Sequence, residues 1–141
     1  MEFNGDYDFN ADRQRVYTGF FNADVLKNAI PGCKKAEWKD HQTLWVEADI
    51  NFLVIKGNYA GQILLTEQQS PSHFKMSIQY HSVKASATID LAEKGSKTEL
   101  TYKCEATLIG AFKAADNLAG AQAAKMTLGS FFKSVEKQIT G

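Results

Sequence analysis

The chain has 141 residues, with 16 basic and 16 acidic side chains and no formal net charge. That length fits one domain around a single core, residues 1–141. The balanced charge excludes a general polyanion binder, which needs a basic excess or stripe, so no nucleic acid is expected. No apolar run is long enough for a membrane span, and the acidic, alternating start is not a secretory signal. A cytoplasmic protein is therefore expected.

Residues 2–9 alternate, with Phe3, Gly5, Tyr7 and Phe9 on one face and Glu2, Asn4, Asp6 and Asp8 on the other. That pattern predicts a strand with one wet side. Asn10 can cap a short helix from Ala11 that turns Val16 and Phe20 inward. Asn22 can cap a second, Ala23 to Ala29, with Leu26 and Ile30 as its apolar contacts and Pro31-Gly32 as its stop. From Cys33 the apolar period becomes two. A weak strand over 34–40 surrounds Trp38. Leu44, Val46, Ala48, Ile50 and Phe52 make a stronger one. A turn is expected at Lys56-Gly57, after which Tyr59, Gly61, Ile63 and Leu65 face inward. A second turn, 68–72, contains Pro71.

Phe74, Met76, Ile78 and Tyr80 then share a face, as do Val83, Ala85, Ala87, Ile89 and Leu91. Glu93-Lys94-Gly95-Ser96 predicts a hairpin turn. Leu100, Tyr102, Cys104, Ala106 and Leu108 form the last strand, and Gly110 releases the chain. From about Ala114 to Ile139 the sequence is alanine-rich and free of proline, which predicts one long helix. Ala121, Ala124, Leu128, Phe131, Phe132, Val135 and Ile139 fall on its apolar side. The order is strand, two short helices, six strands and a long helix. Short turns imply antiparallel neighbours, and only the last helix is long enough to cover the sheet's apolar face. The fold class is thus α+β, a curved antiparallel sheet gripping a C-terminal helix.

The apolar side of that helix changes along its length. Leu128, Phe131, Phe132, Val135 and Ile139 fill space, whereas Ala114, Ala115, Ala121 and Ala124, with Gly120, do not. Either a hollow lies beside the small residues, as a ligand pocket would, or another element packs closely on them. Both readings stand open on periodicity alone.

Three phenols, Tyr59, Tyr80 and Tyr102, sit among the inward positions. Each can satisfy its hydroxyl on backbone or water, or donate to a ligand carbonyl. Met76 suits an adaptable wall. Lys125 is expected to reach water, and Gln122 lies either at the seam or inside the pocket. His41, His73 and His81 read as surface histidines too dispersed for a metal. No HExxH, GxSxG or P-loop occurs, and no acid/base pair is visible. Cys33 and Cys104 are expected as free thiols, Cys104 as a small hydrophobe, with a disulfide between them as the alternative. Trp45 falls on the convex, polar face, either as a solitary surface aromatic or as a partner contact.

Three stretches carry a family resemblance: the opening Met1-Glu2-Phe3-Asn4-Gly5-Asp6-Tyr7, the segment from Asn22 to Cys33, and Lys56-Gly57-Asn58-Tyr59-Ala60-Gly61. They resemble the carbon monoxide dehydrogenase G-subunit family, of the START-like, helix-grip superfamily (SRPBCC). The most specific piece, Val25-Leu26 through Ile30-Pro31-Gly32-Cys33, matches the family's VL..CIPGC pattern except that Ala29 replaces the first cysteine. Gly110-Ala111-Phe112-Lys113 departs from the family's glycine pair and lysine-leucine run. The chain stops at Gly141, without the extension that longer relatives carry for membrane attachment, so peripheral membrane contact is not expected.

The resemblance implies a seven-stranded antiparallel sheet around the helix, with a deep apolar cavity between them. It implies binding of a small hydrophobic ligand, quinone-like or isoprenoid, as an accessory protein of a molybdenum-containing carbon monoxide dehydrogenase. The inward positions expected to line the site are Tyr59, Ile63, Met76, Ile78, Tyr80, Ala87, Tyr102, Cys104, Leu118, Ala121 and Gln122. No catalytic residue, cofactor or metal is expected, and a homodimer is possible. Two alternatives are an assembly or docking module with no ligand role, and an enzyme like the polyketide cyclases and dehydratases.

Overall fold

The computed structural model describes residues 1–52, 55–80 and 83–141, with Phe52, Ile55, Tyr80 and Ala111 described by backbone alone. His81, and the side chains expected inward at Phe52 and Tyr80, lie outside the described residues. The described residues form β1 (Glu2–Phe9), α1 (Arg13–Phe20), α2 (Ala23–Ala29), β2 (Cys33–Trp38), β3 (Thr43–Phe52), β4 (Ile55–Gln69), β5 (His73–Tyr80), β6 (Val83–Lys94) and β7 (Lys97–Leu108). A 3-10 turn (Gly110–Ala115) and the long helix α3 (Leu118–Thr140) complete the chain. One seven-stranded antiparallel sheet has the order β1-β7-β6-β5-β4-β3-β2. Every neighbour from β2 to β7 is also a neighbour in sequence. The one distant pairing is β1 on β7, with Gly5 opposite Tyr102. The expected helix-grip architecture is the one observed.

Three local expectations are corrected. The cap of α1 is Asp12, whose carboxylate accepts from Arg15 N, so the helix starts at Arg13 and not near Ala11. Lys56-Gly57 is not a turn: Lys56 pairs with Asn51 and Gly57 with Ile50 inside the β3–β4 ladder. Gly57 has φ of 139°, a conformation that needs glycine but still extends the chain, so a turn residue sits in a strand. Helix α3 starts four residues later than its alanines suggest. Asn117 caps it, its side chain accepting from Gly120 N. Ala114 and Ala115 belong to the 3-10 turn instead.

The core is an aromatic layer at one end of the sheet. Phe9, Phe20, Phe74 and Phe132 are fully buried, with Phe131 and Tyr17 beside them. Phe20 meets Phe74 at 5.2 Å and Phe132 at 6.2 Å between ring centres, and Tyr7 stands 5.8 Å from Phe132. Leu26 of α2, Leu44, Leu65, Ile89, Leu100 and Val135 complete it. Thr98 is buried but satisfied, its hydroxyl donating to Ala11 O at 2.8 Å.

Polar ties fix the same end of α3. Tyr7 OH donates to Glu136 Oε1 at 2.8 Å, and Asn10 N donates to Glu136 Oε2 at 2.6 Å. Burial, and then the Glu136 carboxylate, push the Tyr7 phenol up to about 12, so it stays a donor. Gln138 Nε2 donates to Val25 O, which holds α2 to the helix.

His73 is more than the surface histidine expected. Nδ1 lies 2.7 Å from Asp90 and Nε2 lies 2.9 Å from Glu67. Glu67 itself has φ of 50°, where a residue with a side chain is strained, at the irregularity between Thr66 and Gln69. The bridge holds that bend against β6. The hydrogen bonds to Glu67 and then Asp90 raise the His73 pKa.

Phe132→Ala is expected to lower unfolding free energy by about 3–5 kcal/mol in urea titration, because it removes a fully buried ring from the centre of the aromatic layer. The sign for His73 follows from its raised folded pKa: its contribution is complete below the ordinary value of about 6.5 and is lost as pH rises through the folded value. The stability gap between wild type and His73→Gln is therefore expected to be larger at about pH 5.5 than at about pH 9, by denaturation at both.

Candidate functional site

The concave face is filled at one end and open at the other. Along β5, Phe74 is 0% exposed, Met76 is half-buried, and Ile78 is 46% exposed. All three point to the same side, because side chains two apart share a face. Ile78 stands on a central strand, with β4 and β6 on either side. Its exposure thus comes from uncovered space above the sheet, not from a sheet edge. On β6, Leu91 and Ile89 are buried, whereas Ala87, Ala85 and Val83 are only half-buried. On β7, Leu100 and Tyr102 are buried, and Cys104, Ala106 and Leu108 are half-buried. Helix α3 repeats the gradient: Val135 and Phe132 are buried, and Leu128, Ala124 and Ala121 are half-buried.

Small side chains face each other across this open end. Ala87 and Cys104 are register partners, and Met76 lies beside Ala87. Ala85 pairs with Ala106 on one side and Ile78 on the other. Ala121 and Ala124 stand above them on the helix. Burial pushes the Cys104 thiol up to about 11, so it lines the wall as a neutral, weakly polar group. Cys33 is the second free thiol, on the edge strand, with its Sγ 3.3 Å from Lys35 O.

The two readings of the small residues apply to different residues. Ala115 is fully buried and Gly120 buried, because the 3-10 turn packs straight on the first turn of α3. A Cβ on Gly120 would fall 1.8 Å from Ala115 O, so this position needs close backbone approach. Ala121 and Ala124, by contrast, leave room.

The candidate residues separate into groups. Met76, Ile78, Ala87, Cys104 and Ala121 border the open end, with Ile63 buried at its side, register partner of Ile78. Tyr59 is half-buried and forms part of the rim. Its hydroxyl donates to Lys56 O at 3.3 Å, and its ring meets Phe112 of the 3-10 turn edge-on at 5.6 Å. Tyr80 is opposite Val83, and its side chain lies outside the described residues.

Three expectations are corrected. Leu118 is 76% exposed at the free start of α3, so it stands outside the hollow. Gln122 is exposed; it lies about 100° around the helix from Ala121, and the phase is set by the buried Phe131, Phe132 and Val135. Tyr102 is only 6% exposed, and its hydroxyl does not reach into the open end. It lies over Gly5 of β1, close enough that a Cβ there would be 2.7 Å away. Sequence reasoning placed the phenol on the right face but missed that a cross-strand glycine would let it lean to the sheet edge.

Among the described residues no group of three His, Cys, Asp or Glu side chains could hold a metal ion. No described helix is long and apolar enough to cross a membrane.

A curved antiparallel sheet that grips a long C-terminal helix defines the START-like class, and comparison with solved structures agrees on that fold. A START superfamily protein from Mycobacterium smegmatis superimposes with a TM-score of 0.76 at 11% identity, over 99% of this chain and 97% of that one. Ara h 8.0201 does so with a TM-score of 0.76 at 11% identity, over 99% and 97%. A conserved protein from Geobacillus kaustophilus gives a TM-score of 0.90 at 26% identity, over 99% of this chain and 95% of that chain. Among curated proteins, none matches the chain. Residues 5–139 match the carbon monoxide dehydrogenase G-subunit (CoxG) family, and the chain belongs to that family.

The difference between open and packed alanines can be measured. Ala87→Leu is expected to change unfolding free energy by less than about 1 kcal/mol, because the added atoms enter space. Ala115→Leu is expected to cost about 1–3 kcal/mol by overpacking. Chemical denaturation of the two variants checks the contrast.

Proposed function

We propose that the protein binds a small hydrophobic ligand, quinone-like or isoprenoid, between the sheet and the N-terminal half of α3. It does so as an accessory protein of a carbon monoxide dehydrogenase-type molybdenum hydroxylase. The observation that carries the reading is Ile78, an isoleucine on a central strand that remains 46% exposed on the concave face. Around it the lining is Met76, Ala85, Ala87, Cys104, Ala121 and Ala124, with no described ionised group pointing in among them. Such a wall is wet in the empty protein. Covering it with a ligand gains about 25 cal/mol per Å² of apolar area, less the cost of association. The family name supplies the partner class.

A shape-filling site of this kind makes affinity depend on chain length. Each buried CH₂ adds about 0.8 kcal/mol, so one isoprene unit strengthens binding by about a hundredfold or more over the bare ring. The rim at Tyr59 and Phe112 then sits where the ligand enters. Tyr102 does not supply the polar contact for a ring carbonyl, because its hydroxyl is turned away toward Gly5.

Calorimetric titration of the full chain with a methylnaphthoquinone bearing one isoprene unit tests the proposal. Saturable binding is expected, stronger than for the unprenylated ring, and weakened about tenfold or more by Ala87→Trp. Trp45→Ala, on the convex face, is expected to leave it unchanged. No saturable binding, together with recovery of hydroxylase subunits that depends on Trp45, would replace the carrier reading with the docking one.

A further inference from the structure

A second hollow lies in the seam between β1 and one flank of α3. Leu118, Lys125, Gly129 and Glu136 share that flank by helical spacing. At Glu136 the seam is closed by Tyr7 and Asn10. Seven residues earlier it opens, because Gly129 on the helix and Gly5 on the strand both lack side chains. The resulting cleft has a volume of about 320 Å³ and is lined by Gly5, Asp6, Tyr102, Lys125, Gly129 and Phe132. That is the small end of the range for ligand sites.

The Tyr102 hydroxyl belongs to this cleft. The side chain is more than nine-tenths buried, while its hydroxyl is not among the buried unpaired polar atoms: it makes no hydrogen bond to the described residues and stays open to the cleft. A phenol held by its ring and left with solvent as its partner can donate to a guest in that space. Burial raises its pKa, and the charge of Asp6 adds to the effect, so the group stays protonated and offers a proton. The floor is apolar: Phe132 lies 5.6 Å from the Tyr102 ring. Asp6 joins the lining from β1, where alternation turns its side chain to the wet face, and Lys125 stands exposed at the mouth. In water and salt that single exposed charge pulls weakly on a charged guest, so the neutral phenol and the apolar floor set the preference.

We propose that this cleft binds the carbonyl oxygen of a small uncharged molecule, a ketone or amide, which accepts from Tyr102 OH while its apolar body rests on Phe132. The site is separate from the open end of the sheet and does not depend on the ligand proposed there.

The test uses the full chain with ¹³C-labelled tyrosine, the Tyr102 Cζ resonance being assigned by its loss in Tyr102→Phe. The probes are cyclohexanone, cyclohexanecarboxylate and methylcyclohexane. The blocking variant is Gly129→Leu: a Cβ there meets nothing within 4 Å, and leucine favours a helix more than glycine. The expected result is a saturable shift of Tyr102 Cζ with cyclohexanone, weakened about tenfold or more in Gly129→Leu, and no comparable shift with the other two probes. Four results overturn the proposal: no saturation with cyclohexanone, tighter binding of the carboxylate, an equal response to methylcyclohexane, or binding unchanged by Gly129→Leu.

Discussion

The helix is fastened at one end. Phe131, Phe132 and Val135 are buried against the aromatic layer, and Glu136 and Gln138 hold β1 and α2 by hydrogen bonds. Its first turn is propped by Gly120 stacking on Ala115, with the Met1 side chain alongside. A rod held at its far end and propped at its near end must stand away from a curved sheet somewhere between. The gap falls where the helix offers alanine and β6 offers alanine. The hollow is therefore a product of both fastening and side-chain size. Larger residues at Ala87 or Ala121 would fill it without disturbing the anchor.

This arrangement separates stability from accessibility. The residues that supply most burial, Phe9, Phe20, Phe74 and Phe132, are all distant from Ile78 along the concave face. Local opening near the start of α3 need not disturb that layer, since stability is distributed unevenly across a fold. The 3-10 turn closes on the sheet through Phe112 against Tyr59. Small apolar side chains on a rigid sheet and such a closure suit entry and exit better than permanent enclosure.

Much of the fold was legible because alternation survives in nearly every strand, and polar residues mark the wet face. The failures have specific causes. Gly57 signals a break by residue type, but its φ extends the ladder. The alanines before Asp116 have helical propensity, but the Asn117 cap decides where the helix begins. Inward positions such as Met76, Ile78 and Ala87 could be read from parity alone. The direction of a phenol could not. Tyr102 leans over Gly5 only because a residue 97 positions away is its register partner and has no side chain. The His73 bridge likewise depends on cross-strand register with Asp90 and on a backbone bend at Glu67. Neither leaves a signal in linear spacing.

The strand order has a consequence for biosynthesis. From β2 onward each strand finds its neighbour as soon as the next hairpin leaves the ribosome. The first strand does not: its ladder partner is β7, and its remaining cover is α3. Closing so long a loop carries an entropic penalty that adjacent hairpins avoid. The first strand thus waits, half apolar and unpaired, until β7 and α3 have been translated. Tyr7 and Asn10, which fasten Glu136, wait with it, so the grip on the helix is completed only after the helix itself has been made.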